Sequence, residues 1–122
     1  MRKLLLVDDD RSFLEILSLA LSKDFEIHKA TGISEALTVL KEGVVDFICS
    51  DLNMKDGSGL DLLQFLKSNH TDIPFILLSG QEDCIEIKLA KHYGATFIPK
   101  GSAEILAKIK NSLNSDHSNH HN

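Results

Sequence analysis

The stretch Val44-Val45-Asp46-Phe47-Ile48-Cys49-Ser50-Asp51-Leu52-Asn53-Met54-Lys55-Asp56-Gly57-Ser58-Gly59 joins an apolar run of strand length to a glycine-punctuated loop, with Asp51 at the junction. Such a run carries one carboxylate to the end of a buried strand, where the chain turns towards solvent. Outward from it, short apolar runs alternate with longer segments of helical periodicity. That alternation predicts an α/β fold with a parallel sheet.

Residues 4–7 read as the first strand. Asp10 or Ser12 caps a first helix in which Phe13, Leu14, Leu17, Ala20 and Leu21 recur at helical intervals. Residues 25–30 alternate apolar with charged, as an edge strand does, and His28 falls on its solvated side. Ser34 opens a second helix stopped at Gly43, and residues 60–66 lie in a third. Residues 73–78 are almost continuously apolar and predict a strand covered on both faces, ending at Ser79-Gly80. A fourth helix over 82–93, a short fifth strand over 95–99 and a fifth helix capped by Ser102 complete the pattern.

The chain has 122 residues, enough for one domain, expected over 1–113, with a polar, disordered tail over 114–122. A net charge of -5 without clustered Lys and Arg argues against direct nucleic-acid binding. Asp8 cuts the first apolar run far short of a signal peptide or membrane span, so a cytoplasmic protein without membrane contact is expected. Cys49 and Cys84 fit reduced thiols rather than a disulfide framework.

Five parallel strands with right-handed crossovers make a doubly wound, flavodoxin-like three-layer sandwich with five helices. All strand carboxyl ends then share one edge, which gathers Asp8 and Asp9, Asp51, Ser79 and Lys100. In the order 2-1-3-4-5 the ligand crevice opens between strands one and three, beside Asp8, Asp9 and Asp51. Carboxylates this close need a counter-charge. A hard divalent cation such as Mg2+, which takes oxygen ligands together with phosphate oxygens, meets that need. An aspartate beside it is positioned as a phosphoryl acceptor, with Lys100 and the Ser79 hydroxyl available to the phosphoryl oxygens.

These residues resemble the receiver domain of bacterial two-component response regulators, in its single-domain, chemotaxis-regulator-like form, over nearly the whole chain. The resemblance implies that Asp8 and Asp9 hold Mg2+, that Asp51 is the phosphoacceptor, and that Asn53 contacts the metal through its backbone carbonyl. It further implies that Ser79 is the switch hydroxyl, Phe97 the aromatic switch residue and Lys100 the phosphate-contacting lysine. The partners implied are a histidine kinase or phosphotransfer protein upstream and a protein target or a second copy downstream. No DNA-binding or catalytic output segment follows the fifth helix in this sequence, so the signal is expected to leave through protein contacts unless the chain is part of a longer regulator. The chain departs from the family at Lys55, where proline is usual, at Gly80, where alanine is frequent, and at Gly101, where a proline in a cis peptide bond normally follows the lysine.

In the fourth helix, a step of about 100° per residue sets Ile87 and Ala90 on one face and Ile85 with Leu89 nearly opposite. Ile85 and Leu89 are therefore expected to be partly exposed and, with Phe97, to form a partner-binding or dimerising surface. Two other readings stand beside the switch, which is itself not an enzyme. One is a pseudo-receiver, a binding module that does not use phosphorylation. The other is a haloacid-dehalogenase-like phosphatase with Asp8 as nucleophile and Asp10 as general acid, which leaves Asp51 without a task.

Overall fold

A computed structural model of the chain describes residues 1–118, with side chains as far as Asn114. Five parallel strands form one sheet: β1 (Lys3–Val7), β2 (Glu26–Ala30), β3 (Phe47–Asp51), β4 (Phe75–Ser79) and β5 (Thr96–Pro99). Their order is β2-β1-β3-β4-β5, the doubly wound arrangement expected from the sequence. The helices are α1 (Arg11–Leu21), α2 (Ile33–Glu42), α3 (Gly59–Ser68), α4 (Ile85–His92) and α5 (Ile105–Ser118).

Strand alternation divides the core into two layers. Leu4, Leu6, Phe47, Cys49, Ile76, Leu78 and Ile98 face one side, against Leu14, Leu17 and Leu21 of α1 and Ile109 and Leu113 of α5. Leu5, Val7, Ile48 and Leu77 face the other, against Ala36 of α2, Leu62, Leu63 and Leu66 of α3, and Ile87 and Ala90 of α4. Each fully buried leucine contributes roughly 1.5–3 kcal/mol. The central strands, apolar on both sides, therefore dominate the stability of the sheet. At the edge, Glu26 and His28 of β2 pair with each other at 2.7 Å on the solvated side, which accounts for His28.

Several boundaries differ from the sequence reading. The fourth helix starts at Ile85 rather than at residue 82: the chain leaving β4 first makes a side-chain turn, with Gln81 N–H donating to Ser79 Oγ at 3.0 Å, and Cys84 at the N-cap has an extended backbone. The fifth helix continues to Ser118, past the expected start of the tail, because extending a nucleated helix costs little. The rest of that tail, residues 119–122, lies outside the described residues. Phe65, grouped with the apolar residues of the third helix, is 45% exposed, since it lies roughly a third of a turn from the face centred on Leu62, Leu63 and Leu66.

The second helix is capped from a distance. Gly32 occupies its N-cap and offers no side chain, and the Asp56 carboxylate, from the loop after β3, accepts from Ile33 N–H at 2.9 Å and Ser34 N–H at 3.0 Å. A Cβ at residue 32 would meet that carboxylate. These two donors hold Asp56 below the usual carboxylate range, Ser34 being the larger influence. The same loop contains a short antiparallel ladder of Asn53–Met54 with Gly57–Ser58. It then enters α3 through a reciprocal cap in which Asp61 N–H donates to Ser58 Oγ and Ser58 N–H to Asp61 Oδ2, both at 3.0 Å. Asp56→Ala removes a cap made by two hydrogen bonds and is expected to destabilise the fold. Urea unfolding at neutral pH measures the loss, and an unchanged midpoint would show that this cap carries no net stability.

Candidate functional site

The strand ends bring the predicted acidic residues together. Asp8 follows β1 and is 2% exposed, while Asp51 ends β3 and is 8% exposed. Asp8, Asp9 and Asp51 each offer a carboxylate oxygen within 4.8 Å of the others. Lys100 follows β5, and its Nζ lies 2.8 Å from Asp8 Oδ2 and 3.6 Å from Asp51 Oδ1. The lysine thus reaches the site although Gly101 follows it and no peptide bond among the described residues is cis. What holds its backbone is the sheet itself: Lys100 N–H donates to the Ser79 carbonyl at 2.8 Å.

Charge at this edge is not balanced. Burial, and then the charge of Asp8, push the Asp51 carboxyl from its ordinary 3.8 up to about 6, and Lys100 only partly offsets them. For Lys100, burial pulls the ammonium down, but its contact with Asp8 and the charge of Asp51 outweigh burial and hold it above its ordinary value. Burial, with Asp8 and Asp51 adding, also pushes the Cys49 thiol far up, so it stays protonated and inert. Asp8 Oδ2 is buried and accepts no hydrogen bond of good geometry, its close neighbour being the Lys100 ammonium. An all-oxygen set with such a poorly satisfied buried atom fits a hard divalent cation of the Mg2+ type. Asp10 is occupied otherwise: its Oδ1 accepts from Phe13 N–H at 3.1 Å as the N-cap of α1, and its own N–H donates to Asp8 Oδ1 at 2.9 Å. The general-acid role that a phosphatase reading gives Asp10 is thus replaced by a cap.

Ser79 ends β4 and is 2% exposed. In the register Leu77 pairs with Phe97 and Ser79 with Pro99, so Ser79 and Phe97 share the α4 side of the sheet. Phe97 is half-buried there, with Lys91 Nζ 5.5 Å from its ring centroid. On α4, Ile85 is 65% and Leu89 38% exposed, whereas Ile87 and Ala90 are buried, as the helical spacing predicts. Asn53, exposed, opens the short ladder beyond Asp51.

Four contributors were not read from the sequence. Ser50 Oγ donates to the Asp51 carbonyl at 2.9 Å. Gly59 approaches so closely that a Cβ would lie 2.5 Å from the same carbonyl and 2.7 Å from Leu77 Cδ1, which fixes glycine there. Lys55 N–H donates to Asp9 Oδ2 at 3.0 Å, tying the loop to the acid pair through a backbone donor that a proline at this position would lack. Phe13 of α1 lies against Lys100, with Nζ 4.4 Å from its ring centroid. Only Gly59 had a signal, as one of two glycines in the loop; backbone donors and ring stacking leave none.

The arrangement of acid pair, strand-end aspartate, hydroxyl and lysine agrees with a family match. Residues 4–110 match the family described as response regulator receiver domain. The chain belongs to that family. This receiver domain is 32% identical over 96 residues to the photosynthetic apparatus regulatory protein RegA of Cereibacter sphaeroides, covering 78% of this chain and 52% of RegA. It is 32% identical over 112 residues to the acid tolerance regulatory protein ActR of Rhizobium meliloti, covering 88% of this chain and 58% of ActR. It therefore spans little more than half the length of these relatives. Among solved structures, the non-phosphorylated HemR receiver domain of Leptospira biflexa superimposes with a TM-score of 0.84 at 31% identity, covering 93% of this chain and 94% of that one. No described helix is long and apolar enough to cross a membrane.

The strained charge of this receiver domain has a pH signature. Because the folded state raises the Asp51 pKa from 3.8 to about 6, the fold binds more protons than the unfolded chain between those values, and Asp51 takes stability away as pH rises through them. Asp51→Asn should therefore be more stable than the parent at pH 7 to 8 without divalent cation, by on the order of 3 kcal/mol at about 1.4 kcal/mol per tenfold change in proton affinity. The gain should vanish below about pH 4 and shrink when Mg2+ is added. Urea unfolding across this range measures it, and a gain independent of pH would contradict the electrostatic origin.

Proposed function

We propose that this chain is a phosphorylation-dependent signalling switch whose acceptor is Asp51. What supports the reading most is the convergence of Asp8, Asp9, Asp51 and Lys100 at one sheet edge, with carboxylate oxygens within 4.8 Å of one another and Lys100 Nζ 3.6 Å from Asp51. A partner histidine kinase or phosphotransfer protein presents a phosphohistidine to this crevice. An Asp51 carboxylate oxygen attacks phosphorus in line, the P–N bond breaks, and the imidazole leaves with the electron pair, giving an acyl phosphate on Asp51. Asp8, Asp9, Asp51 and the Asn53 carbonyl are the residues that would hold Mg2+, which supplies positive charge against the transferring oxygens. Lys100 neutralises a further oxygen, and the Ser79 hydroxyl turns from Gln81 to donate to another.

The strand register supports a reading of the output. Ser79 and Phe97 share one face of the sheet, so movement of the hydroxyl towards Asp51 vacates space on the α4 side that the Phe97 ring takes up. Two arrangements of the α4-β5-α5 face, carrying exposed Ile85 and Leu89, thereby change in population and bind a protein target or a second copy differently. Attack of water on phosphorus releases phosphate, restores the carboxylate and resets the domain.

Incubation with Mg2+ and acetyl phosphate, followed by intact-mass measurement, tests the acceptor. One phosphoryl group is expected, stable to acid and labile to base, absent from Asp51→Asn and strongly reduced in Asp8→Asn. Absence of labelling in the parent protein would favour a phosphorylation-independent binding module, and continued turnover of phosphate esters would favour a phosphatase.

A further inference from the structure

Phe13 has no task in the chemistry above, yet its ring meets the one lysine that chemistry requires. Lys100 Nζ sits 4.4 Å from the Phe13 centroid, within the range of a cation–π contact. The head group is thus touched from three elements: Asp8 after β1 at 2.8 Å, Asp51 of β3 at 3.6 Å, and Phe13 of α1. Its side chain remains 22% exposed, so solvent is the competing destination.

The restraints on Lys100 are uneven. Its backbone is fixed on one side by the hydrogen bond to the Ser79 carbonyl. On the other side Lys100 and Gly101 are the middle residues of a turn closed by Ser102 N–H on the Pro99 carbonyl at 3.2 Å. Between backbone and ammonium lies a flexible four-carbon stem. Asp8 provides the shortest contact, but Asp8 belongs to the set of oxygens that a divalent cation would occupy. A cation there competes for Asp8 Oδ2 and repels the ammonium. The ring of Phe13 attracts a cation without using any metal-ligating oxygen. It is itself held, with its N–H donated to Asp10 at 3.1 Å and its side chain packed on the α1 and α5 side of the core.

We propose that Phe13 is a positioning residue that keeps the Lys100 ammonium over Asp51 when a divalent cation takes up the Asp8 carboxylate. The proposal rests on the reading of Asp51 as phosphoacceptor. It assigns to an aromatic face on α1 the restraint that the flexible stem of Lys100 does not provide.

Four proteins test it: Phe13→Leu, which keeps apolar volume and removes the π face; Phe13→Tyr, which restores the face; Lys100→Ala; and the double variant Phe13→Leu with Lys100→Ala. With Mg2+ and acetyl phosphate, Phe13→Leu should be phosphorylated about three- to tenfold more slowly than the parent, the scale of a partly desolvated cation–π contact. Phe13→Tyr should stay near the parent rate, and Phe13→Leu should cost nothing further once Lys100 is alanine. An equal loss with and without Lys100, or a tyrosine variant as slow as the leucine one, would overturn the proposal. A second readout needs no phosphorylation: the ring should shift the Lys100 ε-CH2 proton resonances upfield in the Mg2+-loaded protein, and Phe13→Leu should abolish that shift. If the parent takes up no phosphoryl group, the acceptor reading fails and this resonance decides the contact by itself; if the resonance is unchanged by Phe13→Leu, the positioning role is wrong.

Discussion

Uncompensated negative charge at the carboxyl ends of the strands is the constraint on which the rest of this structure depends. Asp8 and Asp51 are nearly buried, Asp9 stands beside them, and the Lys100 ammonium faces Asp8 and Asp51. A fold selected for stability alone would not gather these groups, because burying a carboxylate beside another costs free energy unless each is paired. The raised pKa of Asp51 records that cost. It is the condition that makes the site responsive, since a cation or a phosphoryl group entering there meets groups that lack full partners.

The sheet distributes the polar groups at this edge over two faces. Lys100 continues the alternation that puts Ile98 on the α1 and α5 side, whereas Ser79 and Phe97 lie on the side of α4. The strand-end hydroxyl and lysine are thus split between two faces of one sheet. Lys100 answers to α1 through Phe13. Ser79 answers to the α4 face, where Ile85 and Leu89 stand in solvent. The loop after β3 links both to the acid pair, with Lys55 N–H on Asp9 and Asp56 capping α2.

Most of the fold was legible because it rests on periodicity. Short apolar runs marked β1, β3 and β4, the last as covered on both faces, and alternation of apolar with charged residues marked β2 as an edge. The site was legible to the extent that its groups sit at strand ends, where topology converts sequence position into a common location: Asp8, Asp51, Ser79 and Lys100 were each found that way. Contacts between distant segments left no such trace. Ser34 looked like the start of α2, but its cap comes from Asp56, and nothing local in the sequence joins those residues. Phe13 read as an ordinary core position because helical spacing reports which face a residue occupies and not what lies beyond the end of the neighbouring strand. Gly101 after Lys100 put the lysine in question; sheet pairing with Ser79, which no motif encodes, brings it to the site.

If Asp51 is the acceptor, its occupancy is felt through Ser79, Phe97 and Lys100. Amide and side-chain NMR of the protein titrated with Mg2+ and beryllofluoride, a phosphoryl stand-in that binds an aspartate carboxylate, tests this most directly. Saturable binding lost in Asp51→Asn is expected, with resonance changes at Asp8, Ser79, Lys100 and Phe97 that extend to Ile85 and Leu89 on α4. Binding that persists in Asp51→Asn, or changes confined to the acid pair with Phe97 and α4 unmoved, would contradict it.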